Sequence, residues 1–507
     1  MKITNIAGAG SLAGRRNLML LPRRCGVLPQ TAGVMKDGMV MEKQEQKLTL
    51  GNRKGEQESL LGTGPIHRLF FSLAVPAILA QMINILYNLV DKMFIGHIPV
   101  EGPLALAGVG ITTPVILAIS ALAALVSMGG APKASIMMGR QNYPAAEEIL
   151  GTCTWMILVL SLLLTVFMRL CGRPVLLLFG ASSGTIGYAL DYMNIYCLGT
   201  VLIQLTLGLN AFITAEGFTK ISMLNVAVGA VCNVVLDYVI INLLHWGVEG
   251  AALATILSQG VSALCVVGFL LSRHSTLKLR LKNIVFRRDL LLPCILLGTS
   301  PALMQLTENM VAISFNTSLQ RFGGDMAVSS MSIMNSIMQF VMLLLPGLVQ
   351  GAQPILSYNL GAEKIDRVRD CFRDLLVSCV AGSCLIWALC MLRPDWVAAI
   401  FTDNAQLIQY SSGAIRIYLS MLFLYGVQVA CQYSFVALDQ APTAIFLTIW
   451  RKIILLIPLI FILPHLVAEP VTGVFLAEPI ADTVAVCTTG PMFYRYFSRL
   501  KRKYGVK

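Results

Sequence analysis

Asp91 ends an apolar run, Phe70 to Val90, in which a charge is out of place. Ionisable side chains at membrane depth are costly, so one found there marks an ion or substrate pathway. A second acid, Asp237, lies in a later apolar stretch with Asn233 four residues before it, a spacing that puts amide and carboxylate on one helix face. Two chemistries fit such a group. Carboxylate and amide oxygens suit a hard cation such as sodium. Two carboxylates in a low-dielectric pocket also repel one another, and a shared proton relieves that repulsion. The plain alternative is a buried structural hydrogen-bond network.

Other residues with chemical capacity surround these. Gln81, Asn84 and Asn88 precede Asp91, and Asn84 and Asn88 share its helical face, which points them into a cavity. Pro76 stands fifteen residues before Asp91. It frees backbone groups and permits either a static kink or a bend that responds to neutralisation of Asp91. Glu308 lies in apolar surroundings and could attract a cationic solute or carry a second proton. Glu478 and Asp482 read either as caps of the last helix near the outer surface or as functional acids, and Arg451 and Lys452 as side chains that snorkel toward the cytoplasmic headgroups. Met331, Met334, Met338 and Met342 form a stripe at helical spacing. Flexible thioethers suit a promiscuous substrate wall, and they suit core packing equally well.

The elements that position these residues are membrane helices. Charged residues make up 13% of the chain and hydrophobic ones 56%, well outside the range of a soluble domain. Twelve apolar stretches of about 20 residues recur, each long enough to cross a bilayer, the first near 69–95, the sixth near 249–272, the seventh near 289–319 and the twelfth near 470–495. They are too long and unbroken for barrel strands, so the fold class is all-α integral membrane. No Walker loop, HExxH or clustered His is present, which leaves ATP-driven pumping and metalloenzyme chemistry without residues. A GxSxG match at Gly180–Gly184 falls in a loop between spans, not on a strand-to-helix turn, so no enzyme is expected. The thirteen cysteines contain no CxxC pair and mostly fall in apolar spans as small hydrophobes.

The net charge of +12 does not mark a nucleic-acid binder, because the basic residues sit in connecting loops. Arg273, Lys278, Arg280, Lys282, Arg287 and Arg288 lie between spans six and seven, and a second group follows span twelve. By the positive-inside rule both termini are cytoplasmic and the chain is a multi-pass protein of the cell's inner (plasma) membrane. Arg169, Arg173, Arg321 and Arg393 run against that bias as a minority. Four parts follow: a cytoplasmic extension over 1–64, expected to be disordered, a six-helix lobe over 65–272, a basic linker over 273–288, and a second lobe with a basic tail over 289–507. The extension also fits an upstream start, with Met35, Met39 or Met41 as the initiator.

The two lobes read as a duplication. At an offset of 222 residues, Gly129, Pro132 and Gly139 match Gly351, Pro354 and Gly361, and small shifts bring Pro76 onto Pro301 and Gly250 onto Gly473. Six helices per repeat keep both halves in one orientation, which predicts a pseudo-two-fold axis along the membrane normal and binding near the midplane.

With these features the chain resembles a bacterial-type MATE (multidrug and toxic compound extrusion) transporter of the multidrug/oligosaccharidyl-lipid/polysaccharide flippase superfamily, over about residues 62–500. The resemblance is carried by Val75-Pro76 through Tyr87-Asn88-Leu89-Val90-Asp91 into Phe94-Ile95-Gly96-His97, by Ala105 to Gly110, and by Gly473 to Asp482. It implies two six-helix bundles around a cleft, and secondary active efflux of amphipathic, cationic compounds in exchange for protons or sodium ions. It also implies a first-lobe site at Asp91, Asn233, Asp237 and Thr255, where any sodium would bind. No cofactor beyond the coupling ion is implied, and the expected partners are drugs or toxic organic cations and the lipid bilayer, with the protein a monomer. The rival within the superfamily is a lipid-linked oligosaccharide flippase, which would need a cationic cavity for pyrophosphate.

Overall fold

The computed structural model describes residues 60–98 and 102–505. Those residues form helices and connecting loops, with no strand among them. A helix satisfies its own backbone hydrogen bonds, which lipid cannot do, and the long apolar runs therefore take that form.

Span one is Ile66–Gly96, span two Gly102–Gly139 and span three Tyr143–Leu178. Span four is bent, with Ile186–Leu198 meeting Thr200–Ala215 at 59°. Span five is Thr219–Leu243 and span six Gly247–Leu271. The helix Arg288–Gly361 has 74 residues, far more than the roughly 20 that one crossing needs. Its backbone leaves helical geometry at Gly324 (φ 63°), which divides it into spans seven and eight. Span nine is Ile365–Leu392, span ten the bent pair Ala405–Tyr418 and Leu422–Ala437 (48°), span eleven Ala441–His465 and span twelve Pro470–Lys503. Nine continuous helices, two bent pairs and the division at Gly324 make twelve crossings among the described residues.

The duplication is visible in the backbone. Spans four and ten carry equivalent bends, and spans five and eleven each contain a π-helical stretch, Tyr238–Leu243 and Trp450–Leu456. Left-handed residues recur at the 222-residue offset, Gln141 with Glu363 and Gly217 with Asp439. Spans one to six and seven to twelve form two six-helix lobes related by a pseudo-two-fold axis along the membrane normal, and spans one and two pack on seven and eight between them.

The lobes meet most closely toward the end that carries the six-to-seven linker. There spans two and seven cross backbone to backbone: a Cβ on Gly298 would fall on the Leu125 carbonyl, and one on Gly129 on the Cys294 carbonyl. Lys133 reaches Asp439 at 2.6 Å, Gln141 donates to the Tyr358 hydroxyl, and Ser135 donates to the Pro354 carbonyl. The linker is pinned to the first lobe by Arg280 with Glu147 and by Arg287 with Glu148. Glu216, just past span four, accepts the Thr276 N–H at 2.6 Å and the Ser275 hydroxyl.

The expectation for the amino-terminal extension lies, for residues 1–59, outside the described residues. Residues 60–64 are pinned. Leu61 is buried, Asn359 and Arg367 donate to its carbonyl, and Lys364 donates to that of Gly62.

Candidate functional site

The structure brings together the four residues of the first-lobe group. Asp91 lies near the far end of span one, Asn233 and Asp237 on span five, and Thr255 on span six. Asp237 is the last α-helical residue before the π stretch Tyr238–Leu243, and such bulges widen a helix where side chains must be re-aimed. Gly199, at the bend of span four, lies so close to Ile256 that a Cβ there would strike its side chain. That close approach brings span four against span six beside Thr255.

Asp237 is fully buried and Asn233 is 1% exposed. Neither Asp237 oxygen, neither polar atom of the Asn233 amide, nor the buried Oδ1 of Asp91 has a hydrogen-bond partner among the described residues. Burying a polar atom without a partner costs on the order of 1–3 kcal/mol, more when it is charged. Five such atoms in one pocket are therefore poorly explained as a self-satisfied structural network. The Asp91 and Asp237 carboxyls lie within electrostatic reach of one another. The Thr255 hydroxyl donates to the Ala251 carbonyl at 3.0 Å, and Tyr192 lies beside it. Tyr192 stacks on Tyr196 with ring centroids 5.8 Å apart, and both sit near Asp91 with Tyr87. This tyrosine wall escaped the sequence reading, because Tyr192 and Tyr196 lie on span four, far from the acids in sequence. Their spacing of four was its one legible sign.

A cavity of about 300 Å³ opens beside this group, bounded by spans one, two, four, five and six and by spans seven and eight of the second lobe. Gln81 and Asn84 line it as expected, while Asn88 does not. Asn88 is exposed, and its amide turns back to donate to the Asn84 carbonyl at 2.6 Å. Met331, Met334 and Met338 are absent from the wall as well. Met331 and Met334 are buried in the core and Met338 packs against it, so the stripe fills space between helices. Glu308 is also outside the wall and pairs with Lys452 at 2.9 Å.

Two expectations in the second lobe are corrected. Arg451 and Lys452 do not snorkel; both are buried, and Arg451 holds Glu478 at 2.8 Å and Asp482 at 2.6 Å. Glu478 and Asp482 consequently serve as partners of a buried cation, not as caps. A buried guanidinium must be paired, and two acids one turn apart on span twelve supply that pairing. Tyr425 adds its ring face 4.9 Å from Arg451. Pro76 is buried inside span one, which continues unbroken through it.

Twelve helices in two lobes, with a polar cavity between them and unpartnered acids sunk in one lobe, define a membrane transporter. The family model MatE matches twice, over residues 76–239 and 301–462, so the chain belongs to the MatE family. The matches begin at Pro76 and Pro301, the pair that the repeat had aligned. The multidrug export protein MepA of Staphylococcus haemolyticus (strain JCSC1435) is 24% identical over 450 residues, covering 88% of this chain and 97% of its own. MepA of Staphylococcus aureus (strain MSSA476) is 22% identical over the same shares. Among solved structures, MATE in the bent conformation superposes with a TM-score of 0.83 at 22% identity, over 89% of this chain and 99% of that one. An outward-facing multidrug resistance MATE family transporter gives 0.80 at 23% identity, over 88% and 98%.

Proposed function

We propose that the protein is a secondary active multidrug exporter that moves amphipathic compounds through the inter-lobe cavity in exchange for protons or sodium ions. The observation that carries this reading is the pocket of unpartnered carboxylate and amide atoms at Asp91, Asn233 and Asp237, beside a cavity large enough for a drug-sized molecule. A cation entering the pocket neutralises it. Because a ligand shifts a conformational equilibrium only through its differential affinity for the two states, cation and substrate must favour different arrangements of the lobes. Alternating access between two six-helix lobes supplies those arrangements. The basic loops and linker face the cytoplasm in this reading, with both termini on that side of the plasma membrane. Similarity to multidrug export proteins over 88% of the chain supports the substrate range.

The flippase alternative needs cationic groups around a pyrophosphate, and no Lys or Arg stands among the described residues that line the cavity. The decisive experiment is transport of a fluorescent drug in inverted vesicles under separately imposed pH and sodium gradients, comparing wild type with Asp91→Asn and Asp237→Asn. Gradient-driven transport should fall by about tenfold or more in each variant. Unchanged transport in both would sink the site assignment.

A further inference from the structure

Five charged side chains meet inside the second lobe, and none of them lines the inter-lobe cavity. Span seven gives Glu308, span eleven Arg451 and Lys452, and span twelve Glu478 and Asp482. Span ten faces the group with the rings of Tyr418, Tyr425 and Tyr433 and contributes no acid. The charges do not balance. Three carboxylates stand against two cations, which leaves one negative charge uncompensated in a cluster whose members, Glu308 apart, are buried. A buried charge without a partner is costly, and a carboxylate in that position sheds it by taking a proton.

The hydrogen bonds show which acid is short of a partner. Oδ1 of Asp482 accepts from Arg451 twice, from Nε at 2.8 Å and from a terminal nitrogen at 2.6 Å. Glu308 has the Lys452 ammonium at 2.9 Å, and its side chain is 45% exposed, which leaves it open to water. Glu478 accepts one bond, at Oε1 from Arg451, while its Oε2 is buried without a partner among the described residues. That oxygen is where the missing positive charge belongs. A single free oxygen beside two fixed cations is no ligand set for a hard metal ion, which needs several oxygens, so the position suits a proton. Arg451 is fixed by its bonds to both acids of span twelve. Lys452 is held by Glu308 and also lies within electrostatic reach of Glu478, which makes its ammonium the movable charge of the cluster.

We infer that the second lobe has its own proton site at Glu478, and that Lys452 moves between Glu308 and Glu478 as this proton binds and leaves. With the proton on Glu478, Lys452 stays on Glu308 and ties span eleven to span seven. When the proton leaves, the ionised Glu478 competes for the ammonium and that tie loosens. Span seven crosses span two backbone to backbone at Gly298, so the tie acts on the contact between the lobes. The inference rests on the export reading and adds to it a proton held apart from the cation of Asp91 and Asp237.

The test uses the full chain in detergent, with Asp91→Asn, Asp237→Asn and Glu216→Gln as a background that silences the first-lobe acids and the buried acid at the linker. Protonated carboxyls are read by their infrared C=O stretch while pH is raised from about 5 to about 9. The background should hold about one protonated carboxyl in this cluster, and Glu478→Gln should remove it. Lys452→Met leaves three acids with one cation and should raise the signal to about two carboxyls. A band unchanged by Glu478→Gln, or no rise with Lys452→Met, overturns the inference. Where Glu478→Gln does not fold, Lys452→Met alone decides it. Efflux of a fluorescent drug from proteoliposomes under an imposed gradient reads the link to transport. Glu478→Gln in the otherwise native chain should flatten the pH dependence of that efflux, and an unchanged profile overturns the role given to Lys452. The infrared band without gradient-driven efflux by the wild type would remove the export reading and leave the proton site standing.

Discussion

Thr255 separates the two coupling chemistries at the scale of single residues. Its hydroxyl hydrogen is committed to the Ala251 carbonyl, so only the lone pairs of its oxygen are left to offer, and an oxygen without a free proton serves a metal cation better than it serves a protonated carboxyl. If sodium drives transport, Thr255→Ala should raise the half-saturating sodium concentration about tenfold, the effect of losing one charge-assisted contact. Proton-driven transport should be nearly unaffected by the same change. Vesicle transport titrated separately with sodium and with pH makes the comparison. Glu216 offers a second test at this scale. Burial pushes its carboxyl up from 4.5 to about 8, against the opposing donors at Thr276, Leu277 and Ser275. The folded protein therefore binds a proton that the unfolded chain releases between those two values. Stability should fall as pH rises through that window, by up to about 1.4 kcal/mol per pH unit. Thermal melting of detergent-solubilised protein from pH 5 to 8 should show the decline in wild type and lose that component in Glu216→Gln.

Elements decide how the two halves use similar positions differently. The offset that takes Gly250 to Gly473 also takes Thr255 to Glu478, while Asn233 and Asp237 correspond at 222 to Leu455 and Leu459. The second lobe has an acid where the first has a hydroxyl, and it supplies its own cation from span eleven. Arg451 is a resident partner to both Glu478 and Asp482, whereas the first-lobe acids have no such partner among the described residues. Arg451→Ala should thus destabilise the protein by about 3–5 kcal/mol, because two buried acids lose their counter-charge. Arg451→Met combined with Glu478→Gln and Asp482→Asn should recover most of that loss, read as melting temperature in detergent. This pairing also shows what the sequence could disclose. The twelve spans, the duplication and the Asn233–Asp237 face follow from apolar run length and helical spacing, which are local quantities. The guanidinium trap is not local. Its members lie 27 and 31 residues apart on neighbouring helices, and an Arg-Lys pair in an apolar run looks the same whether it snorkels or is enclosed. The methionine stripe misleads for a related reason: helical spacing puts Met331, Met334 and Met338 on one face without saying whether that face meets the cavity or the core.

For the whole molecule, the alternating access proposed above requires the lobes to part at the end where they now cross. The bonds that must break there are few and specific: Lys133 with Asp439, Gln141 with Tyr358, Ser135 with the Pro354 carbonyl, and the donors that Asn359 and Arg367 extend to the chain at Leu61. The Lys133–Asp439 pair joins span two of the first lobe to the ten-to-eleven loop of the second, so it acts on the angle between lobes and not on either lobe's own fold. A part-exposed pair of this kind contributes up to about 1 kcal/mol. Lys133→Ala should accordingly raise the fraction of molecules open at the basic end roughly two- to fivefold, with little change in melting temperature. A thiol introduced by Ser357→Cys on the cavity wall near that end reports the opening through its labelling rate with a membrane-impermeant maleimide. Labelling should accelerate in inverted vesicles and stay slow in intact cells, because the basic end faces the cytoplasm in the orientation proposed above. Faster labelling from outside the cell would reverse that orientation, and an unchanged rate on both sides would show that the ion pair does not hold the lobes closed.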